Sequence, residues 1–554
     1  MTEQIEKIKQ TLKDSAPMRW LVMLLVSGLM FGTYWFQDFY SGLKTLMETQ
    51  MGITSTQFGT LIGLTTIANI FGMIIVGGII LDKWGIRITG VVFGGVATLG
   101  AALNALGAAG VFGGDPSTML TVMTIGRIIF GVGLEVTCVV VLRTLVKWFK
   151  GYELALAMSI NLGFGRLGST LGTALSPDIA GNNVPTAVTF AATLIGIGLI
   201  MFVIYIIFDV KIDKQLKAEG EEEDEEKFKI SDFFKLVTNR SFIAIALLCV
   251  AFYSAVFPFM QYAPDLLVNK FGFSYNLPEN APQLTIFGSN AMGNALIYVG
   301  LFIFGLSFTL LPTNIKNRSG KILSVLITFV LFVCFIYAIK DILAVWLKNG
   351  PKVASVIPLG TILFTPIFGT LVDRRGKAAS LMILGSLLLI FSHLTLSVFQ
   401  SVTLGYFGLL TLGIAFSLIP AAMWPSVAKI VPKTRLGTAY ATMFTIQNWG
   451  LGAFFFGIGR VLDMVNPAVV DKLQEIRSGL EAQGLTNEAI TLKMQEMKEL
   501  GELPPYNYTI PILMLVILGV ISIFLAFVLK KADKKQGYGL ELPSNEEVKS
   551  DQEA

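Results

Sequence analysis

Runs of about 20 apolar residues recur along nearly the whole chain, each long enough to cross roughly 30 Å of hydrocarbon at about 1.5 Å per helical residue. Repetition at that length leaves few folds open. In lipid every backbone N–H and C=O must be paired, which restricts spanning elements to helices and closed barrels, and runs this long are helices. The runs fall at 20–39, 59–81, 88–109, 120–142, 154–175 and 187–208, then, after a polar gap, at 241–263, 291–311, 322–339, 354–372, 380–398, 404–428, 438–458 and 510–529. That predicts about fourteen spans, the 322–339 run being the weakest because Lys340, Asp341 and Lys348 crowd its end. A composition of 53% hydrophobic and only 14% charged residues agrees with an all-α polytopic membrane protein.

With the amino terminus inside, alternate loops hold roughly thirty Lys and Arg inside against about nine outside, which orients the chain with both termini cytoplasmic. The acidic run EGEEEDEEKFK, Glu219 to Lys229, then reads as a solvated linker between two halves. The expected organisation is a six-helix bundle over 1–209, a linker over 210–240, a second bundle over 241–530 and a cytoplasmic tail over 531–554. The charged leading residues lack the form of a cleaved signal, so the first span is retained. Cys138, Cys249 and Cys334 all lie in spans and imply neither disulfides nor a metal site, and the lone His393 reads as a packing residue. No G-x-x-x-x-G-K-[ST] loop occurs, which argues against an ATP-driven motor; neither an enzyme, a cofactor nor a nucleic-acid partner is expected.

Two loops repeat one pattern. Gly78, Asp82, Lys83, Gly85 and Arg87 follow the second span; Gly369, Asp373, Arg374, Gly376 and Lys377 stand at the matching place in the second half. Such internal similarity marks transporters built from two helix bundles around a central site. Gly78 and Gly369 are expected to allow close helix approach and Gly85 and Gly376 a tight turn, while the aspartates pair with basic residues to hold the cytoplasmic side shut. This spacing resembles the signature loop of the major facilitator superfamily, and Arg127 four residues before Gly131 resembles its second motif. GRIIFGVGLE, WFKGYELALAMSINLGFGRLGST, AVFPFMQYAPDLLVNKFGFS and AAMWPSVAKIVPKTRLGTAYATMFTIQNWGLG are similar to the branch that contains the lysosomal dipeptide transporter. The resemblance implies two six-helix bundles moving a small solute.

Two features depart from that pattern. Residues 275–352 insert two extra spans between what would be helices seven and eight of a twelve-helix transporter, and 464–508 reads as two charged external helices started by Asn466-Pro467 and Thr486. The external loop reads best as a solvated cap. Proton-coupled peptide transporters and fourteen-helix drug exporters resemble the chain less, because their extra pair lies between the halves and the former's paired-glutamate motif is absent.

Glu135 interrupts an apolar run with a carboxylate whose insertion costs about 2.5–3.5 kcal/mol, so it should face a partner or a cavity. Arg166 stands at the same depth on the next span, both about 20 Å from the shared turn near 148–152. The two could satisfy each other as a buried pair, or stand apart and hold the two ends of a zwitterion. The resemblance favours the second, with Glu135 at the substrate's amino end and Arg166 at its carboxylate. Tyr253, Trp424, Gln447, Asn448, Tyr34 and Asp38 are further candidates for the pocket, and Arg127 joins Glu135 as a possible coupling group. The same arginines could instead bind a small anion or organic acid. A non-transporting receptor is the alternative of another class. The partners expected are a small-molecule substrate and the lipid bilayer, with a monomeric chain and no accessory subunit carried over from the lysosomal relative. The single external glycosylation motif, Asn507-Tyr508-Thr509, hugs a span and no dileucine sorting signal is evident, so a bacterial inner membrane is expected rather than a lysosomal one.

Overall fold

A computed structural model describes residues 12–219, 235–432 and 435–543. Most of the acidic run and the ends of both tails lie outside the described residues. The chain is helical throughout, with no strand among the described residues. The first half comprises α1 (Ala16–Asp38), the short α2 (Lys44–Met51), α3 (Ser55–Gly63), α4 (Ile67–Ile70), α5 (Met73–Ala108), α6 (Pro116–Phe149), α7 (Leu154–Ala180) and α8 (Val184–Glu219). The second begins with α9 (Arg240–Phe271) and the inserted pair α10 (Asn290–Asn314) and α11 (Arg318–Ala338). It continues through α12 (Lys340–Trp346), α13 (Gly350–Ala354), α14 (Val356–Arg375), α15 (Ala378–Val398), α16 (Val402–Ile430) and α17 (Leu436–Val465). The external α18 (Pro467–Ala482) and α19 (Asn487–Glu499) precede the last helix, α20 (Thr509–Gln536).

Among the described residues eleven helices are long and apolar enough to cross a membrane, or twelve if α17 and α18, bent by 83°, count as one span. The expected fourteen is therefore not reached, for local reasons. The 59–81 run is broken by a 3-10 turn and by Gly72 at φ 81 before it continues into α5. α5 itself runs through two runs, 59–81 and 88–109, whose boundary is Gly85 at φ 74. α7 is diluted by Gly, Ser, Thr, Arg166 and Asp178. The first half's last helix also persists to Glu219, ten residues past the expected boundary at 209.

Helix starts follow the local chemistry. Asn239 accepts from the N–H groups of Ser241 (2.9 Å) and Phe242 (3.1 Å), and Thr54 forms a reciprocal capping box with Gln57. Asp115 accepts from Thr118 N–H (2.9 Å) ahead of Pro116, and that bond holds its carboxyl below the usual range.

Close helix contact is concentrated where glycine replaces a side chain. A Cβ at Gly131 of α6 would lie 1.9 Å from the Thr65 carbonyl oxygen, and one at Gly133 would lie 2.4 Å from that of Phe93. Backbone cannot yield as a side-chain tip can. Gly131→Ala is expected to lower the thermal unfolding midpoint of the detergent-solubilised protein, by the roughly 1–3 kcal/mol of an overpacked core or more. Gly95→Ala, where a Cβ meets nothing within 4 Å, should leave it unchanged.

The first and last described residues, Leu12 and Pro543, lie on one face of the bundle, hereafter the terminal face. There Leu12 N–H donates to Gln215 (2.9 Å), Arg19 pairs with Glu153 (2.9 Å), and Ser241 donates to Gln536 (2.7 Å).

Candidate functional site

The two halves are bonded to each other at the face opposite the termini. Lys44, fully buried, lies 2.8 Å from Asp265 of α9 and 2.5 Å from Glu48, and Thr45 donates to the same Asp265 at 2.8 Å. Lys352 of α13 pairs with Asp178 of α7 and donates to Ala174 O (2.8 Å). Asp463 of α17 accepts from the N–H groups of Ser55 (3.1 Å) and Thr56 (2.7 Å), at the amino end of α3 where the helix dipole favours an anion. Below these bonds the halves part around a cavity of about 510 Å³, inside the range of about 300–1,000 Å³ that holds small ligands. A second cavity shares Trp424 and Phe444 with it and continues between α5 and α6 on one side and α17 on the other to Asp82 and Arg143, giving a route to the terminal face.

All eight pocket residues named from the sequence line the central cavity: Tyr34, Asp38, Glu135, Arg166, Tyr253, Trp424, Gln447 and Asn448. Glu135 and Arg166 are half-buried, and no ion pair joins them among the described residues. The Arg166 guanidinium instead lies 4.6 Å from the ring centre of Phe416 and 5.9 Å from that of Phe257, both in the second half. A cation over aromatic faces keeps its N–H edges free to meet a carboxylate. Tyr253 stacks on Phe257 (5.3 Å) and accepts from Trp424 Nε1 at 3.0 Å, while Trp424 stacks on Phe444 (4.9 Å). Asp38 accepts from Gln261 of α9 at 2.7 Å, another bond between the halves. Gln447 accepts from Cys249 (3.3 Å), and Asn448 donates to Phe444 O within its own helix (2.9 Å).

Sequence reasoning missed other members of the wall. Phe257 and Phe416 carry no signal that separates them from packing residues, whereas Gln37 and Asn69 are amides inside apolar runs and were legible in principle. Gln37, Thr65 and Asn69 line the cavity, and Gln37 Oε1, Thr65 Oγ1 and Asn69 Oδ1, buried within its wall, have no protein hydrogen-bond partner.

Arg127 is elsewhere. Fully buried between α1 and α6, it donates to the carbonyls of Phe36 (2.6 Å) and Gln37 (3.2 Å) near the end of α1, where the helix dipole favours a cation, and does not line the cavity. His393 bridges α15 to α9, its ring nitrogens 2.9 Å from Leu389 O and 3.0 Å from Ala255 O.

The repeated loops occupy the terminal face. Gly85 and Gly376 both take positive φ, 74° and 65°. Gly78 and Gly369, expected at close helix contacts, would each meet nothing within 4 Å if given a Cβ, because both line cavities at the end where the halves stand apart. Asp82 pairs with Arg143 (2.8 Å) of its own half rather than across the opening. Arg87 pairs with Asp209 (2.6 Å) and Asp213, which Lys147 also meets. Lys83 and Arg374 stand beside these groups in sequence. Lys377 N–H donates to Glu541 O (3.1 Å), and Lys429 to Gly539 O (2.8 Å), so the segment after α20 is fastened against the second loop.

Residues 21–350 match the Major Facilitator Superfamily and residues 350–553 the MFS_1 like family. The chain belongs to the Major Facilitator Superfamily. It is related to the lysosomal dipeptide transporter MFSD1: 25% identical over 458 residues to the protein of Danio rerio, covering 80% of this chain and 81% of the relative. With that of Homo sapiens it is 26% identical over 457 residues, 80% of each chain. Its fold is shared with a bacterial homologue of the human lysosomal transporter Spinster in an inward-facing and occupied conformation (TM-score 0.56, 12% identity, 94% of this chain and 98% of that one). It is also shared with the nucleoside transporter NupG (TM-score 0.53, 14% identity, 93% and 99%). The protein is thus an integral membrane transporter of a small molecule.

Proposed function

We propose that the protein moves dipeptides or similar zwitterions by alternating access, Glu135 receiving the amino end and Arg166 the carboxylate. The observation that carries this reading is the unpaired placement of the two charges on one 510 Å³ cavity. A buried pair serving only to fix packing would neutralise itself, because an isolated charge in a low-dielectric interior is costly. Aromatic rings around Arg166 and the polar residues Gln37, Thr65 and Asn69 in the cavity wall suit a ligand with both apolar and peptide groups. The anion reading loses support from Arg127, which is bonded to α1 carbonyls away from the cavity. The opposite face is bonded shut and the terminal face open, which suits one extreme of a rocking cycle with the two halves as its rigid bodies. The bacterial inner membrane, with the terminal face cytoplasmic, remains the setting that the loop charges favour.

Purified protein in liposomes should take up labelled dialanine saturably, and an excess of unlabelled dipeptide should suppress that uptake where nitrate and succinate do not. Running the assay with and without an imposed pH gradient separates uniport from proton coupling. Transport of the anions in place of dialanine would sink the zwitterion reading. Binding without flux would point to the receptor alternative.

A further inference from the structure

The inserted helix α10 touches both halves. Towards the face opposite the termini its Asn294 donates to Asp178 of α7 (3.0 Å), and its Phe302 ring lies 5.5 Å from Phe164 of the same helix. From the same face Tyr298 shares a hydrogen bond with Ser355 (2.9 Å) and stacks on Trp346 at 4.9 Å, both in the second half. A Cβ at Gly305 would meet Ile362 of α14 at 3.4 Å. α11 covers α10 from outside, with Phe304 5.5 Å from Phe332 and 5.4 Å from Phe335. Only 6% of the apolar window of α11 is buried, so it meets lipid, and α10 is the inner member of the hairpin.

The residues of α10 that face the bundle form one helical stripe. Asn294, Ile297, Tyr298 and Phe302 are buried. Continuing at three- and four-residue steps, the stripe reaches Leu306, Thr309 and Leu310, which line the central cavity. There they stand with Gly163 and Arg166 of α7 and Ile362 and Pro366 of α14. The stripe therefore changes from packed core to cavity wall at the depth where the halves separate.

We infer that α10 is a wall of the substrate cavity, filling the seam between α7 and α14, and that Leu306 and Thr309 limit the size of the substrate side chain admitted. The size limit rests on the dipeptide reading above; the wall does not. Arg166 lies beside this wall, so a zwitterion held there presents one of its side chains towards α10. The helix is tied to the second half by Tyr298 and by the chain through α12, so its contacts with α7 are those that slide when the halves rock. Gly163, where a Cβ would lie 3.0 Å from the Phe302 ring, gives that contact its close fit.

Two measurements test the inference separately. In a background with Cys138, Cys249 and Cys334 replaced by alanine, single cysteines at Leu306 and Thr309 are compared with Ile303→Cys on the outer side of α10 and Val330→Cys on α11. A membrane-impermeant cationic methanethiosulfonate is applied at the terminal face, and modification is followed by mass. The first pair should react at least tenfold faster than the second; equal rates in all four would overturn the wall. Leu306→Trp should then raise the ratio of dialanine to diphenylalanine uptake at least tenfold. An equal change for both probes would overturn the size limit. If the wild type carries neither dipeptide, the proposed function fails and the size limit with it, while the labelling rates alone decide whether α10 lines the cavity.

Discussion

Arg166→Ala and Glu135→Gln are each expected to weaken saturable dipeptide uptake by about 30-fold or more while leaving the protein folded and monodisperse. Removing one member of a desolvated charge pair between protein and ligand costs about 2–5 kcal/mol, or roughly 30-fold and upwards in apparent affinity. The two variants should also fail differently. Arg166→Ala should lose its preference for a dipeptide over its C-terminal amide, because the group that distinguished them is gone, yet still reject the N-acetyl form. Glu135→Gln should show the converse. Competition by acetylated and amidated analogues against residual labelled uptake measures both preferences. Equal loss of preference at both ends in both variants would indicate that the residues act through a shared structural role. A fall in the unfolding midpoint matching the loss of uptake would point the same way.

The depth argument that brought these two residues together worked because helix geometry is rigid. Thirteen residues back from one end of a short loop and fourteen on from the other must reach similar levels, and that needs no tertiary information. Their failure to pair was not legible, because it depends on how the helices rotate about their axes and on Phe257 and Phe416, which the second half brings to Arg166. The glycines of the repeated loops show a related limit. Gly85 and Gly376 act through their own backbone dihedrals, a local property, and the sequence is enough for those. Gly78 and Gly369 were assigned a role in helix contact, which depends on which face of the bundle is open. Arg127 looked functional for the same reason as Arg166, a cation inside a span, but its terminal guanidinium nitrogens donate to the carbonyls at the end of α1 and not into the cavity. The fourteen runs and the eleven or twelve long apolar helices differ where polar residues and breaks dilute α3, α4 and α7 and where α5 joins two runs through Gly85.

Lys44→Ala is expected to release the closed face. Burial works against a charge on Lys44, but the Asp265 and Glu48 carboxylates outweigh it and hold its pKa above the ordinary lysine value. It is therefore a cation between two carboxylates, one in each half, and Tyr508 donates to Asp265 from the same side. Without the lysine, Glu48 and Asp265 face each other in a site from which water is excluded. Breaking such a pair costs about 3–5 kcal/mol, which would move a two-state equilibrium by roughly 150-fold to several thousandfold. Cys138 is a native reporter of that shift, since it lines the central cavity. In the wild type an impermeant thiol reagent applied at the face opposite the termini should not reach it; in Lys44→Ala it should. Unchanged sidedness of Cys138 labelling would mean that Lys352–Asp178 and the Asp463 bonds to α3 hold that face shut by themselves. The combined variant Lys44→Met, Glu48→Gln, Asp265→Asn separates charge from packing. With no uncompensated ion left to bury, it should recover much of the closed population that Lys44→Ala loses, because the penalty lies in the stranded carboxylates rather than in the missing attraction.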